Sequence, residues 1–222
     1  MQNCKKIDTP LNPNEKLHLY DNSGEIDPVR NRRIVGALLY LTHTHPDITH
    51  AVSMVSRFMQ SPSVFHFGSV KRILRYISGT INYGIHYKKC EEFKLIGYSD
   101  SDWSGSQDDQ RSTTGWVFSL GSGAIAWFSK KQAITALSST EVEYISLTAA
   151  ICEALWLRRL LDDLGEKQVV SSVIHCDNRS ALSIAKNPIL HGQTKHIDTR
   201  FHFIRDLVKD EVILVKHCKT DD

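Results

Sequence analysis

The stretch Phe93-Lys94-Leu95-Ile96-Gly97-Tyr98-Ser99-Asp100-Ser101-Asp102 is a short apolar run that ends in two acids, and its reading decides the fold. Phe93–Ser99 has the length and composition of a strand, and two further strands are predicted at Thr114–Leu120 and Ala124–Ser129. Gly121-Ser122-Gly123 between the last two is a compact hairpin signal. Trp103, Trp116 and Trp127 add aromatic bulk suited to sheet faces. A long amphipathic helix is predicted over Glu141–Leu164, with Gly165 as its stop. A strand at Val173–Cys176, helices at Asn178–Lys186 and Ile197–Lys209 and a strand at Val212–Lys216 follow. The order βββ–α–β–α–α–β implies an α/β fold: an antiparallel meander extended by crossover-linked strands into a mixed five-stranded sheet flanked by helices.

Upstream the period is different. Residues 1–25 are rich in Pro, Asn and Gly and read as a loop-rich arm. Residues 26–92 read as a small, mostly helical segment. Asp27-Pro28 is an N-cap followed by proline in the first turn, and Ile34, Val35, Leu38 and Leu41 have helical spacing. Pro46-Asp47 opens a second helix carrying Ile48, Val52, Val55 and Met59. A third carries Phe67, Val70, Leu74 and Ile77 and is expected to stop at Gly79 as a C′ glycine. Between residues 81 and 88, Tyr83, Ile85 and Tyr87 alternate in strand-like fashion. Residues 93–222 make up the α/β domain.

Composition excludes several classes. Charged residues at 23% and hydrophobic ones at 41% describe an ordinary globular chain. No apolar run approaches the ~20 residues that span a bilayer. The N-terminus lacks the apolar core of a secretory signal, so an intracellular site, cytoplasm or nucleus, is expected. Five scattered cysteines argue against a disulfide scaffold or zinc knuckle. His43, His45, His50 and His191, His196, His202 lack cysteine partners at zinc-finger spacing and read as solvated or hydrogen-bonded. Residues 1–93 hold 12 Lys+Arg against 8 acids, whereas residues 94–222 hold 15 against 17. A mildly basic leading half joined to a carboxylate-bearing half suits a polyanionic substrate handled through metal.

Three acids are the candidate site: Asp100 at a strand end, Glu143 in the first turns of the long helix, and Asp177 where a strand meets a helix. Each has a plain structural alternative. Asp100 fits a turn, Thr140-x-x-Glu143 and Ser138-x-x-Glu141 both fit capping boxes, and Asp177-Asn178 fits an N-cap. Together, carboxylates converging from strand ends and a nearby helix suit a hard divalent cation such as Mg²⁺. Arg57, Lys71, Arg72 and Arg75 are candidates for phosphate contact, against the simpler reading of a solvated helix face.

The order strand-Asp, helix-Glu, strand-Asp resembles the ribonuclease H family. Ser101-Asp102-Trp103, Arg111-Ser112-Thr113-Thr114-Gly115-Trp116, Trp127-Phe128-Ser129-Lys130-Lys131-Gln132, Leu137-Ser138-Ser139-Thr140-Glu141-Val142-Glu143-Tyr144, Cys176-Asp177-Asn178 and Thr194-Lys195-His196-Ile197-Asp198 are similar to landmarks of its copy in copia-type retrotransposons. Ile34–Thr42, Pro46-Asp47-Ile48, Ser56-Arg57-Phe58-Met59 and Arg72–Tyr76 resemble the reverse-transcriptase thumb or connection segment that precedes it. This resemblance implies a ribonuclease-H-like fold in residues 93–222. It implies Asp100, Glu143 and Asp177 as catalytic, metal-binding acids, a two-ion Mg²⁺ site, and hydrolysis of the RNA strand of an RNA–DNA hybrid. The remainder of a Pol polyprotein is the implied protein partner.

The chain also departs from that pattern. The Tyr-x-Asp-Asp string of a polymerase is absent, so polymerisation is not expected. The resemblance implies a fourth carboxylate just beyond Lys219-Thr220-Asp221-Asp222, where this chain stops, and a second ion held weakly without it. The alternative is a fragment without turnover that retains nucleic-acid affinity. A further alternative is a secreted effector, since Arg72-Ile73-Leu74-Arg75 spells Arg-x-Leu-Arg.

Overall fold

The structure is a computed structural model and describes residues 4–12, 15–89, 93–186 and 198–219. Thr194–Ile197, His191, His196, Asp221 and Asp222 lie outside them, as do the side chains of residues 198–203. By contacts the chain forms two compact units. One comprises Met1–Gly84, Ser104–Arg111 and Phe128–Ala133; the other comprises Ile85–Trp103, Ser112–Trp127 and Ile134–Asp222.

The first unit is built on three helices, α1 (Pro28–Leu41), α2 (Thr49–Ser56) and α3 (Val64–Gly79), with a 3₁₀ turn at Pro46–Ile48. Asp27 caps α1, its carboxylate accepting from the Val29 N–H at 2.9 Å. Val35, Leu38, Ile48, Val52, Val55, Val70 and Ile73 form the core, and Leu17 from the arm is buried among them. Gly79 departs from expectation: α3 runs through it and the cap falls on Thr80. A Cβ at Gly79 would lie 3.4 Å from Lys6 Cβ.

The N-terminus of α3 is an unusual capping box with histidine at its third position. The His66 N–H donates to Ser63 Oγ at 3.1 Å and the Ser63 N–H donates to His66 Nδ1 at 3.0 Å. His66 Nε2–H donates to the His18 carbonyl at 3.1 Å, so the neutral ring is fully satisfied. The ring stacks on Phe58 at 4.0 Å between centroids. Ser63 Oγ donates to Asp21, which ties the arm to the helix. Burial pushes the Asp21 carboxyl up, but bonds from Ser63 and Ser23 overcome this and hold it at about 2.

The strands are β1 (Leu95–Asp102), β2 (Thr113–Leu120), β3 (Gly123–Lys131), β4 (Ser172–Cys176) and β5 (Ile213–His217), all in the second unit except the end of β3 from Phe128 onward. Between them lie α4 (Ser139–Asp163), α5 (Arg179–Lys186) and α6 (Asp198–Lys209). The strand order is β3-β2-β1-β4-β5, with β1–β2 antiparallel and β1–β4 and β4–β5 parallel. This is the mixed five-stranded sheet expected from the sequence. The predicted strands survive with small extensions; β1 runs on through Asp100 to Asp102. The alternating Tyr83–Tyr87 run forms no strand. Instead the Tyr87 hydroxyl donates to the Ala124 carbonyl at 2.6 Å and the Lys88 N–H to Ser122 Oγ at 2.7 Å.

One face of the sheet packs on α4. Leu95, Phe118, Ile174, Cys176, Ile213 and Val215 meet Tyr144, Leu147, Ile151 and Ala154 there, all but solvent-free. Gly97 is glycine because the Phe118 ring occupies the space a side chain would need: a Cβ would lie 2.4 Å from its nearest atom. α4 ends in a Schellman motif, with Gly165 at φ +84° and the Glu166 N–H donating to the Leu161 carbonyl at 2.8 Å. Arg158 anchors the approach to β4, donating to the carbonyls of Gln168 (2.6 Å) and Val170 (2.9 Å) and to Ser172 Oγ (2.8 Å).

Candidate active site

The parallel pairing of β1 and β4 sets Ser99 against Cys176. The residues that follow, Asp100 and Asp177, therefore emerge side by side. α4 packs across both strands and brings Glu143 to the same end of the sheet. Ser146, one turn along from Glu143, fixes that placement: its hydroxyl donates to the Asp100 carbonyl at 2.6 Å and approaches the Gly115 carbonyl at 3.2 Å. Sequence reading did not single out Ser146. Its signal was a small hydroxyl three residues past Glu143 on an otherwise apolar helix face.

The structural alternatives for the acids are taken up by their neighbours. Ser138 is the N-cap of α4, accepting from the Glu141 N–H at 3.2 Å, and Glu141 accepts from the Leu137 N–H at 2.8 Å. Glu143 has no part in the cap. Asn178 caps α5 by accepting from the Ala181 N–H at 2.9 Å, so that role does not fall to Asp177. Asp100 stands within β1, not in a turn.

Glu143 is only 8% exposed, and its Oε2 is buried without a hydrogen-bond partner. Burial raises its pKa to about 7, with the charges of Asp177 and Asp100 adding to the shift. The Ser101 hydroxyl and backbone N–H approach the Glu143 carboxylate and oppose the shift. Glu143, Asp177 and Cys176 each place one ligand atom within 4.8 Å of the other two, the only such group of metal-ligating side chains among the described residues. Asp100 is outside that group, although its charge is felt by Glu143. Cys176 is fully buried, and burial pushes its thiol up to about 11. On the adjoining strands Tyr98 and His175 pair directly and stack at 4.9 Å between centroids.

The four candidate phosphate-binding cations lie in the first unit. Lys71 is exposed, with its ammonium 4.7 Å from the centre of the Phe67 ring. Arg72 donates to Thr9 Oγ1 at 2.7 Å and, with Arg75, lines an open pocket of about 420 Å³ beside Asn12, Glu15 and Ser69. Arg57 caps α2 and is half-buried. Of the histidines, His45 Nδ1 pairs with Thr44 Oγ1 at 2.8 Å and His50 Nδ1 with Ser129 Oγ at 3.2 Å, hydrogen-bonded as expected.

No family model matches the chain. It is 43% identical over all 222 residues to the Retrovirus-related Pol polyprotein from transposon RE1 of Arabidopsis thaliana, of which it spans 15%. It is 46% identical over 124 residues to a Plasmopara viticola protein named Secreted RxLR effector protein 161, matching 55% of this chain and 87% of that one. The Arg72–Arg75 string lies inside α3 with Ile73 fully buried, so here it is part of a packed helix. Among solved structures, the foamy viral protease-reverse transcriptase in complex with dsDNA superposes with a TM-score of 0.55 at 14% identity, covering 86% of this chain and 38% of that one. That likeness is one of fold. No helix among the described residues is long and apolar enough to cross a membrane.

Proposed function

The chain belongs to the copia-type retrotransposon Pol family and carries its ribonuclease-H-type domain, and on that footing we propose that the domain hydrolyses the RNA strand of RNA–DNA hybrids, using Mg²⁺ held by Asp100, Glu143 and Asp177. The observation that carries this reading is the buried, unpartnered Oε2 of Glu143 beside Asp177. A carboxylate oxygen shut away from water without a donor is costly, and a dication is the partner that relieves it. Carboxylates are the ligands a hard cation prefers, so the donor set fits. When bound, the cation supplies Lewis-acid stabilisation of charge at the phosphoryl group and acidifies a bound water.

The protein's own part is positioning. Ser146 holds the backbone of Asp100, the β1–β4 register aligns Asp100 with Asp177, and α4 delivers Glu143. Residues 26–92 act as the thumb- or connection-like segment in this reading, and Arg57, Lys71, Arg72 and Arg75 neutralise hybrid phosphates. Groove shape and the 2′-hydroxyls, not base sequence, select the hybrid. The rest of a Pol polyprotein is the protein partner, and the setting is intracellular.

The test is cleavage of an end-labelled RNA–DNA hybrid with and without Mg²⁺. Product is expected only with the cation, and it should vanish in Asp100→Asn and Glu143→Gln. A wild-type chain that yields no Mg²⁺-dependent product sinks the hydrolytic reading.

A further inference from the structure

Cys176 closes β4 with its side chain on the α4 side of the sheet, fully buried. Its Sγ lies within 4.8 Å of a carboxylate oxygen of Glu143 and of Asp177. Magnesium has no use for sulfur, whereas cations of the zinc and cadmium class favour it. Around a tetrahedral zinc, with bonds of about 2.0–2.3 Å, a sulfur and an oxygen ligand sit roughly 3.5 Å apart.

The second observation is independent of the thiol. Glu143, one of the three, is more than nine-tenths buried, and its Oε2 has no hydrogen-bond partner. A buried carboxylate and a buried sulfur within 4.8 Å of each other, with the half-buried Asp177 beside them, make a mixed hard and soft donor set. Such a set discriminates among cations by softness.

We propose that Cys176, Glu143 and Asp177 form a capture site for a thiophilic divalent cation of the zinc and cadmium class, which competes with the hard cation for the two carboxylates. Capture forms a sulfur–metal bond and releases the thiol proton to solvent, with no change of oxidation state. The consequence, inhibition of hydrolysis, rests on the functional reading above; the binding itself does not.

The probe is Cd²⁺ alone, titrated into the full metal-free chain and followed by thiolate-to-cadmium charge-transfer absorption in the ultraviolet. Cys4, Cys90, Cys152 and Cys218 are replaced by serine so that the band reports on Cys176. One Cd²⁺ per chain is expected, with the band lost in Cys176→Ser and the midpoint shifted by at least about tenfold in Glu143→Gln, as expected for loss of a ligand or its support. Circular dichroism checks the fold of the four-serine chain. Should that chain not fold, the difference in band between wild type and Cys176→Ser gives the same reading. Absence of a Cys176-dependent band, or an identical midpoint in Glu143→Gln and Asp177→Asn, overturns the proposal. A chain that cleaves hybrid in Mg²⁺ but gives no band defeats the capture site alone, and one that gives the band without cleaving defeats the hydrolytic reading alone.

Discussion

Glu143 weakens the metal-free fold. Its pKa rises from 4.5 to about 7 on folding, so its contribution to stability is fully present below pH 4.5 and is lost as pH climbs through about 7. In EDTA at pH 8, Glu143→Gln should raise the stability of the chain by roughly 1–3 kcal/mol, measured by urea denaturation; an unchanged or lower midpoint would contradict a strained buried carboxylate. His66 shows the opposite sign. Burial lowers its pKa below 6.5, with Asp21, His18 and Asp108 as the charges around it, so stability is intact above pH 6.5 and drains away as pH falls. His66→Gln keeps a capping-box acceptor but cannot titrate. It should melt lower at pH 7.5, by about 0.5–1.5 kcal/mol for the lost stack on Phe58, and show a flatter decline between pH 6.5 and 5. At this scale the three acids were ambiguous singly, because caps and turns use the same residue types. Ser138, Glu141 and Asn178 make the capping bonds seen at α4 and α5, and the role of the acids belongs to the proposed function.

At the level of elements, period and punctuation gave nearly every helix and strand, since alternation and helical spacing are local. What they could not give was contact. The sequence shows a glycine at 97 inside a strand, but not the Phe118 ring lying across it from β2. Gly97→Ala should cost about 1–3 kcal/mol through overpacking, and a Phe118→Leu background should recover part of it; equal cost in both backgrounds would assign the loss elsewhere. Gly79 teaches the converse. It looked like a helix stop, yet α3 passes through it because Thr80 satisfies the last turn by donating to the carbonyls of Tyr76 and Ile77. The Tyr83–Tyr87 alternation likewise failed to make a strand: the Tyr83 N–H donates back to the Thr80 carbonyl and the Tyr87 hydroxyl to the Ala124 carbonyl.

For the whole molecule, the proposed function predicts that cations of the first unit give hybrid binding an ionic component that can be measured apart from cleavage. In Ca²⁺, which permits binding without requiring turnover, Arg72→Ala and Arg75→Ala should each lower the slope of log affinity against log salt by about one, uniformly across sequences. Unchanged slopes would return these arginines to the role of solvated helix face. The parallel register of β1 on β4 has one more consequence. Asp100 leaves the ribosome early and waits for a strand that is synthesised after all of α4, so the acid centre cannot exist until nearly the whole domain has emerged and docked. A half-made chain therefore lacks the β1–β4 pairing altogether.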